Sequence, residues 1–141
     1  MKVKDIMTVR VVSVPRNATV TEAARKMRDE QVGSVLVVEN DQLVGILTDR
    51  QITHSVIADG QDPRVVVVGD VMHEEFVPLE PDMDIMQAMR LQRELAMRRL
   101  PVVENGKPVG IVSVSDISAF VREAVDTILM EGTVRVRRRD T

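Results

Sequence analysis

Val37-Val38-Glu39-Asn40-Asp41-Gln42-Leu43-Val44-Gly45-Ile46 is written a second time as Val102-Val103-Glu104-Asn105-Gly106-Lys107-Pro108-Val109-Gly110-Ile111. The offset is 65 residues (102 minus 37), and Asp5-Ile6-Met7 returns as Asp70-Val71-Met72 at the same offset. No gap is needed anywhere between residues 5 and 117. Two equal half-domains in one chain form a pseudo-twofold object, with equivalent loops at symmetric clefts. A ligand in a cleft with one wall from each half sets how the halves sit, which points to a sensor.

Around this hairpin the first half reads as β-α-β-β-α. Val9 to Val14 is an extended apolar stretch ended by Pro15. Thr19 with Glu22 three residues on is a capping box, each side chain satisfying an orphan backbone N–H. Val20, Ala23, Ala24 and Met27 follow as one apolar helical stripe that Gly33 ends. Val35 to Val38 is an all-apolar run, as in a strand covered on both faces. Leu43 to Leu47 is its return strand. A second helix starts near Asp49 and carries Ile52, Val56 and Ile57 inward. In the second half Asp84 and Gln87 stand for Thr19 and Glu22 as a weaker cap. Asn105-Gly106 gives a type I′ turn, both positions tolerating positive φ. Ile117, Phe120 and Val121 give the last helix its stripe. A small sheet with helices on one face leaves its other face to be covered, and the second copy is the cover. The fold class is therefore α+β, two βαββα repeats packed sheet-to-sheet with pseudo-twofold symmetry. The divisions are residues 1–58 for repeat 1, 59–66 for a linker, 67–124 for repeat 2 and 125–141 for a basic tail.

At 141 residues the chain is one typical domain or two very small ones. That size buries about 70% of the unfolded chain's surface, whereas a half alone is marginal. The core is aliphatic, with 9 Met and 2 Phe but neither Trp nor Tyr, so a planar ligand has only Val, Ile, Met or His to stack on. With no Cys there is no disulfide framework and no thiolate chemistry, which fits a reducing compartment. Residues 1–20 lack the apolar run of a signal peptide, and no stretch approaches the roughly 18 apolar residues of a membrane span. A cytoplasmic location with no membrane partner is the expectation. Net charge −3 carries no nucleic-acid footprint.

In these motifs the chain resembles a stand-alone tandem pair of cystathionine-β-synthase (CBS) domains, a Bateman module. The resemblance covers residues 3 to about 122. It rests on Asp5-Ile6-Met7 at the start of a repeat, on Arg99-Leu100-Pro101-Val102-Val103 entering a strand, and on Val44-Gly45-Ile46-Leu47-Thr48-Asp49-Arg50 before a helix. The resemblance implies a regulatory ligand containing adenosine (AMP, ADP, ATP or S-adenosylmethionine) and pairing of two modules into a disc-like homodimer. It implies no catalytic cofactor.

The family holds ribose with a Ser/Thr and an Asp three residues later, which matches Ser113 and Asp116. A carboxylate accepts from both ribose hydroxyls, and a helix N-terminus attracts phosphate. The same two residues also suit a plain helix cap. Repeat 1 keeps Thr48 but has Gln51, neutral and with one acceptor oxygen, where repeat 2 has Asp116. Carried over residue by residue, cleft A takes Met7, Thr8, Val12, Ser113 and Asp116, with Gly33-Ser34 near the phosphate. Cleft B takes Thr48, Arg50, Gln51, Met72, His73 and Val77, with Arg98-Arg99 near the phosphate. Arginine forks suit phosphate, although cations are also at home at a solvated helix end.

His54 and His73 are the only histidines, so there is no credible zinc set, and no nucleophile–base pair, Walker loop or GxGxxG is present. These absences argue against an enzyme. The tail Val134-Arg135-Val136-Arg137-Arg138-Arg139 alternates as an edge strand would, or frays, or docks an acidic partner or nucleic acid. The leading function is an adenosine-ligand-sensing regulatory module acting on a separate protein. The alternative is a ligand-independent dimerisation or scaffold module.

Overall fold

A computed structural model describes residues 1–139, with side chains to Met130. Helix α1 (Val3–Ile6) is followed by strand β1 (Ser13–Val14), helix α2 (Val20–Glu30), strands β2 (Ser34–Glu39) and β3 (Gln42–Thr48), and the short helix α3 (Asp49–Gln51). A π-helix, Ile52–Ile57, continues α3, and a 3₁₀ turn at Val68–Asp70 opens the second repeat. Helix α4 (Ile85–Leu95), strands β4 (Arg99–Glu104) and β5 (Lys107–Ser113), and helix α5 (Val114–Arg139) complete it.

The two hairpins are built alike. Strands β2 and β3 are antiparallel with an irregularity at Val37/Val38, and β4 and β5 repeat it at Val102/Val103. Parallel to β2 runs β1, pairing Val14 with Val37; Leu79 pairs in parallel with Val102 at the equivalent place. Both turns are left-handed at both central residues, Asn40 and Asp41 in one, Asn105 and Gly106 in the other. The Thr19 box closes as the sequence predicts: Glu22 N–H donates to Thr19 Oγ1 at 3.1 Å, and Thr19 N–H donates to Glu22 Oε2 at 3.0 Å. Asp84 caps α4 alone, accepting from Met86 N–H at 3.0 Å.

The repeats exchange their opening segments. Val3 is fully buried among Leu79, Leu100, Val102 and Val112 of the second repeat. Its counterpart Val68 is fully buried with Val14, Val35, Val37 and Leu47 of the first. Each arm is tied by main-chain bonds: Val3 N–H to Met83 O at 2.8 Å, and Val68 N–H to Ala18 O at 2.7 Å. Farther along, Thr8 and Ile111 exchange two main-chain bonds of 2.9 Å. His73 and Ile46 repeat that pair at 2.8 and 3.0 Å. Strands β3 and β5 lie against each other between the two cores.

Several local expectations are corrected. The ladder of β1 is only Ser13–Val14: Val12 O still accepts from Leu36 N–H of its own repeat, but the chain ahead of it, at Thr8, pairs with Ile111 of the other repeat. Ala24 is exposed, off the buried stripe of Val20, Ala23 and Met27. Helix α2 ends before Gly33, with Gln31 taking the left-handed cap at φ 56°; Ala96 does the same for α4. The wider π turn keeps Val56 inside but turns Ile57 out to 55% exposure. Val121 is exposed rather than inward. The tail forms no edge strand: the backbone of α5 stays helical to Arg139, and its arginine side chains lie outside the described residues.

Candidate functional site

Two cavities open where each repeat's last strand meets the other repeat's opening segment. Cleft A, about 180 Å³, is lined by Thr8 and Val12 from the first arm, Ser34 from β2, and Ile111, Ser113 and Asp116. Cleft B, about 370 Å³, is lined by Ile46, Thr48 and Arg50 from repeat 1, His73 from the second arm, and Arg98 and Arg99. Small-molecule sites commonly run from about 300 to 1,000 Å³, so B alone reaches that range. A larger space, about 650 Å³, lies away from both on the outer edge of α4 and α5, against Met89, Val114, Ile117 and Val121.

Asp116 has two jobs in cleft A. Ser113 N–H donates to its Oδ2 at 2.9 Å, and Asp116 N–H donates to Ser113 Oγ at 3.1 Å, so the pair caps α5. The Thr8 hydroxyl donates to its Oδ1 at 3.3 Å. A carboxylate offers about four lone-pair sites, so two of these remain for a ligand. Thr8 is held there by its main-chain exchange with Ile111. The close approach is possible because the residue before Ile111 in β5 is Gly110. A Cβ on Gly110 would lie 2.8 Å from Met7 Sδ and 2.9 Å from Thr8 O.

Gln51 is spent on structure. Its Oε1 accepts from Thr48 N–H at 3.3 Å, and its Nε2 donates to Val71 O at 2.8 Å. It does not line cleft B. Met72 does not line it either; it is buried in the first repeat's core, packed on Gly45. Met7 likewise packs on Gly110 in the second core and not in cleft A. Val77 is 37% exposed and outside cleft B. The repeated methionines of Asp-Ile-Met and Asp-Val-Met thus belong to the crossing of the arms over the hairpin glycines. Of the sequence-derived residues, Thr8, Val12, Ser34, Ser113 and Asp116 meet in cleft A, and Thr48, Arg50, His73, Arg98 and Arg99 in cleft B.

The structure adds residues that sequence reasoning missed. Arg10 lines cleft A, its guanidinium held by the carboxylate and the carbonyl of Glu30. Asp49 lines cleft B and approaches Gly33, where a Cβ would lie 3.2 Å from its Oδ2 and 2.9 Å from Arg99 Nη1. No periodicity flags either residue; both come from the meeting of segments remote in sequence. Ile111 appears in the walls of both clefts. Among the described residues no group of three His, Cys, Asp or Glu is placed to hold a metal ion. Nor is any helix there long and apolar enough to cross a membrane.

The CBS domain model matches residues 3–58 and again 68–123. The chain belongs to the CBS-domain family. CBS-domain protein YhcV of Bacillus subtilis is 40% identical over 116 residues, 82% of either chain. A Methanopyrus kandleri protein is 38% identical over 112 residues, and there the match spans 78% of this chain and 57% of the relative. Hypoxic response protein 1 of Mycobacterium tuberculosis is 31% identical over 121 residues, 85% of either chain. The crystal structure of hypoxic response protein I, with two coordinated zinc ions of its own, superposes at a TM-score of 0.77 with 31% identity, covering 84% of this chain and 98% of that one. A hexameric cyanobacterial CBS-CP12 protein superposes at 0.75 with 32% identity, over 83% of this chain and 66% of that one. This CBS pair is of the regulatory kind, and such pairs commonly take adenosine ligands.

Proposed function

We propose that this CBS pair is a sensor of an adenosine-containing ligand, with cleft A as its ribose site, and that it signals to a partner protein by a change in how the repeats sit. One observation carries the reading. Asp116 stands on the wall of cleft A with a carboxylate only half used by Ser113 N–H and the Thr8 hydroxyl. A neutral amide in the same role, Gln51, is consumed by its own helix cap and by Val71. Because Thr8 comes from the other repeat, a ligand on Asp116 touches both halves, and its binding energy acts on their relation.

Charge-assisted hydrogen bonds are worth about 1.5–3 kcal/mol each. Asp116→Ala is therefore expected to weaken adenosine or AMP by roughly tenfold to a hundredfold in calorimetry, since each 1.4 kcal/mol is a factor of ten. Asp116→Asn, which keeps one acceptor oxygen, is expected to fall between. Unchanged affinity in Asp116→Ala sinks the ribose assignment. No heat with any adenosine compound returns the chain to a ligand-independent scaffold.

Self-association is part of the same reading. By sequence the paired helices of the two repeats offer Ile52, Val56, Ile117 and Phe120 for a shared edge; Val56 is fully buried and Ile117 is 7% exposed, while Ile52 and Phe120 are half-buried. The outer edge of α5 instead presents Val114, Val121 and Val125, each 39–48% exposed, next to the apolar space against Met89. A self-complementary apolar face of this kind suits a twofold dimer. Sedimentation at micromolar concentration is expected to give a dimer, and Val121→Glu a monomer. A parent chain sedimenting only at 15.8 kDa contradicts it.

A further inference from the structure

The walls of the two clefts are not separate. Ser34 opens β2 and Arg99 opens β4, at equivalent positions of the two repeats (99 minus 34 is 65). Both residues line both cavities. They therefore sit where the pseudo-twofold relation brings the clefts together. Symmetry offers this spot two side chains, one per cleft, but the chain supplies one cation. Ser34 is short and buried; Arg99 is exposed, and its guanidinium reaches across to Gly33, whose missing side chain leaves it room. Cleft A has one other arginine on its wall, Arg10, and Glu30 already holds that one. Cleft B has Arg50 and Arg98 besides.

We infer that Arg99 is a single phosphate anchor shared by the two clefts, so that phosphate-bearing ligands bind them anticooperatively. The inference rests on the ligand reading above for the nucleotide but not for the phosphate. A guanidinium presents one bidentate fork to one phosphate. The first ligand to take it leaves the second cleft without it. A second phosphate then also meets the charge of the first at short range. A ligand lacking phosphate draws nothing from Arg99 and fills the clefts independently.

The test uses the full chain and three probes: inorganic pyrophosphate, adenosine and ATP, each titrated by calorimetry at low salt. Pyrophosphate is expected to saturate at one tight equivalent per chain and to weaken about tenfold in Arg99→Ala. Arg98→Ala, which changes cleft B alone, is expected to cost less. ATP is expected to fill two sites whose constants differ by at least about fivefold, the low end of common coupling. In Arg99→Ala that gap should shrink. Four results overturn the shared anchor: no pyrophosphate binding, two equal pyrophosphate sites, equal ATP constants, or a gap kept in full by Arg99→Ala. If pyrophosphate behaves as expected but adenosine does not bind, the adenosine reading fails and the anchor stands.

Discussion

Gly110 and Gly45 show how single residues place the site. Each lies in a returning strand under the opposite repeat's arm, Gly110 beneath Met7 and Thr8, Gly45 beneath Met72 and His73. A Cβ on Gly110 would meet a backbone oxygen at 2.9 Å, so relief requires the arm to move. Overpacking of this sort costs about 1–3 kcal/mol. Gly110→Ala is expected to lower Tm by several degrees and to weaken ligands in cleft A, because Thr8 shifts away from Asp116. Gly45→Ala should cost similar stability while sparing cleft A. Equal loss of cleft A binding in both variants, measured by calorimetry, would show that these glycines serve stability alone. The glycines were visible in sequence as part of a repeated Val-Gly-Ile, but their reason was not. The methionines that need the space lie about a hundred residues away in one case and 27 in the other (72 minus 45).

At the scale of elements, what was legible is what short spacing encodes. The Thr19–Glu22 box, the Asn105-Gly106 turn and the buried β2 run each announce themselves within a few residues. What was hidden depends on contact at a distance. Gln31 and Ala96 take left-handed caps without being Gly or Asn, the last helix of repeat 1 widens to a π turn, and α1 leaves its own repeat. The swapped arm is also pinned by charge. Asp82 pairs with Lys4 at 3.1 Å and with Lys2 at 3.3 Å. Hydrogen bonds from Lys4 and then Lys2 hold the Asp82 carboxyl below its ordinary 3.8. A carboxyl lowered by folding adds stability above its unfolded pKa and loses it as pH falls through the folded value. The pair is exposed, so the effect is small and screened by salt. Urea midpoints of the parent should therefore drop more between pH 6 and pH 3 than those of Asp82→Asn, and the difference should vanish in high salt. Identical pH profiles for the two proteins would remove the ion pair from the arm's hold.

Taken as a whole, the molecule is less divisible than its repeated sequence suggests. Equal halves invite the expectation that either one folds. The exchange of arms forbids it: the first core is completed by Val68 and Met72, and the second by Val3. A fragment of about 66 residues already buries too small a share of its surface to be secure. Without the partner's arm it also leaves a hole at a fully buried position. Residues 1–66 and 67–141, expressed separately, are expected to show collapsed amide dispersion and no cooperative thermal transition. Mixed in equal amounts they should regain both, because each carries the arm the other lacks. Val68→Ala in the intact chain offers a second view: it should destabilise the core of repeat 1 and so speed hydrogen exchange most at Val35 and Leu47, although the substitution lies in repeat 2. A fragment 1–66 with a dispersed spectrum and a sharp melt would mean that the arm is decoration. It would also weaken the signalling reading, since a ligand can set the relation of the repeats only if their cores are made together.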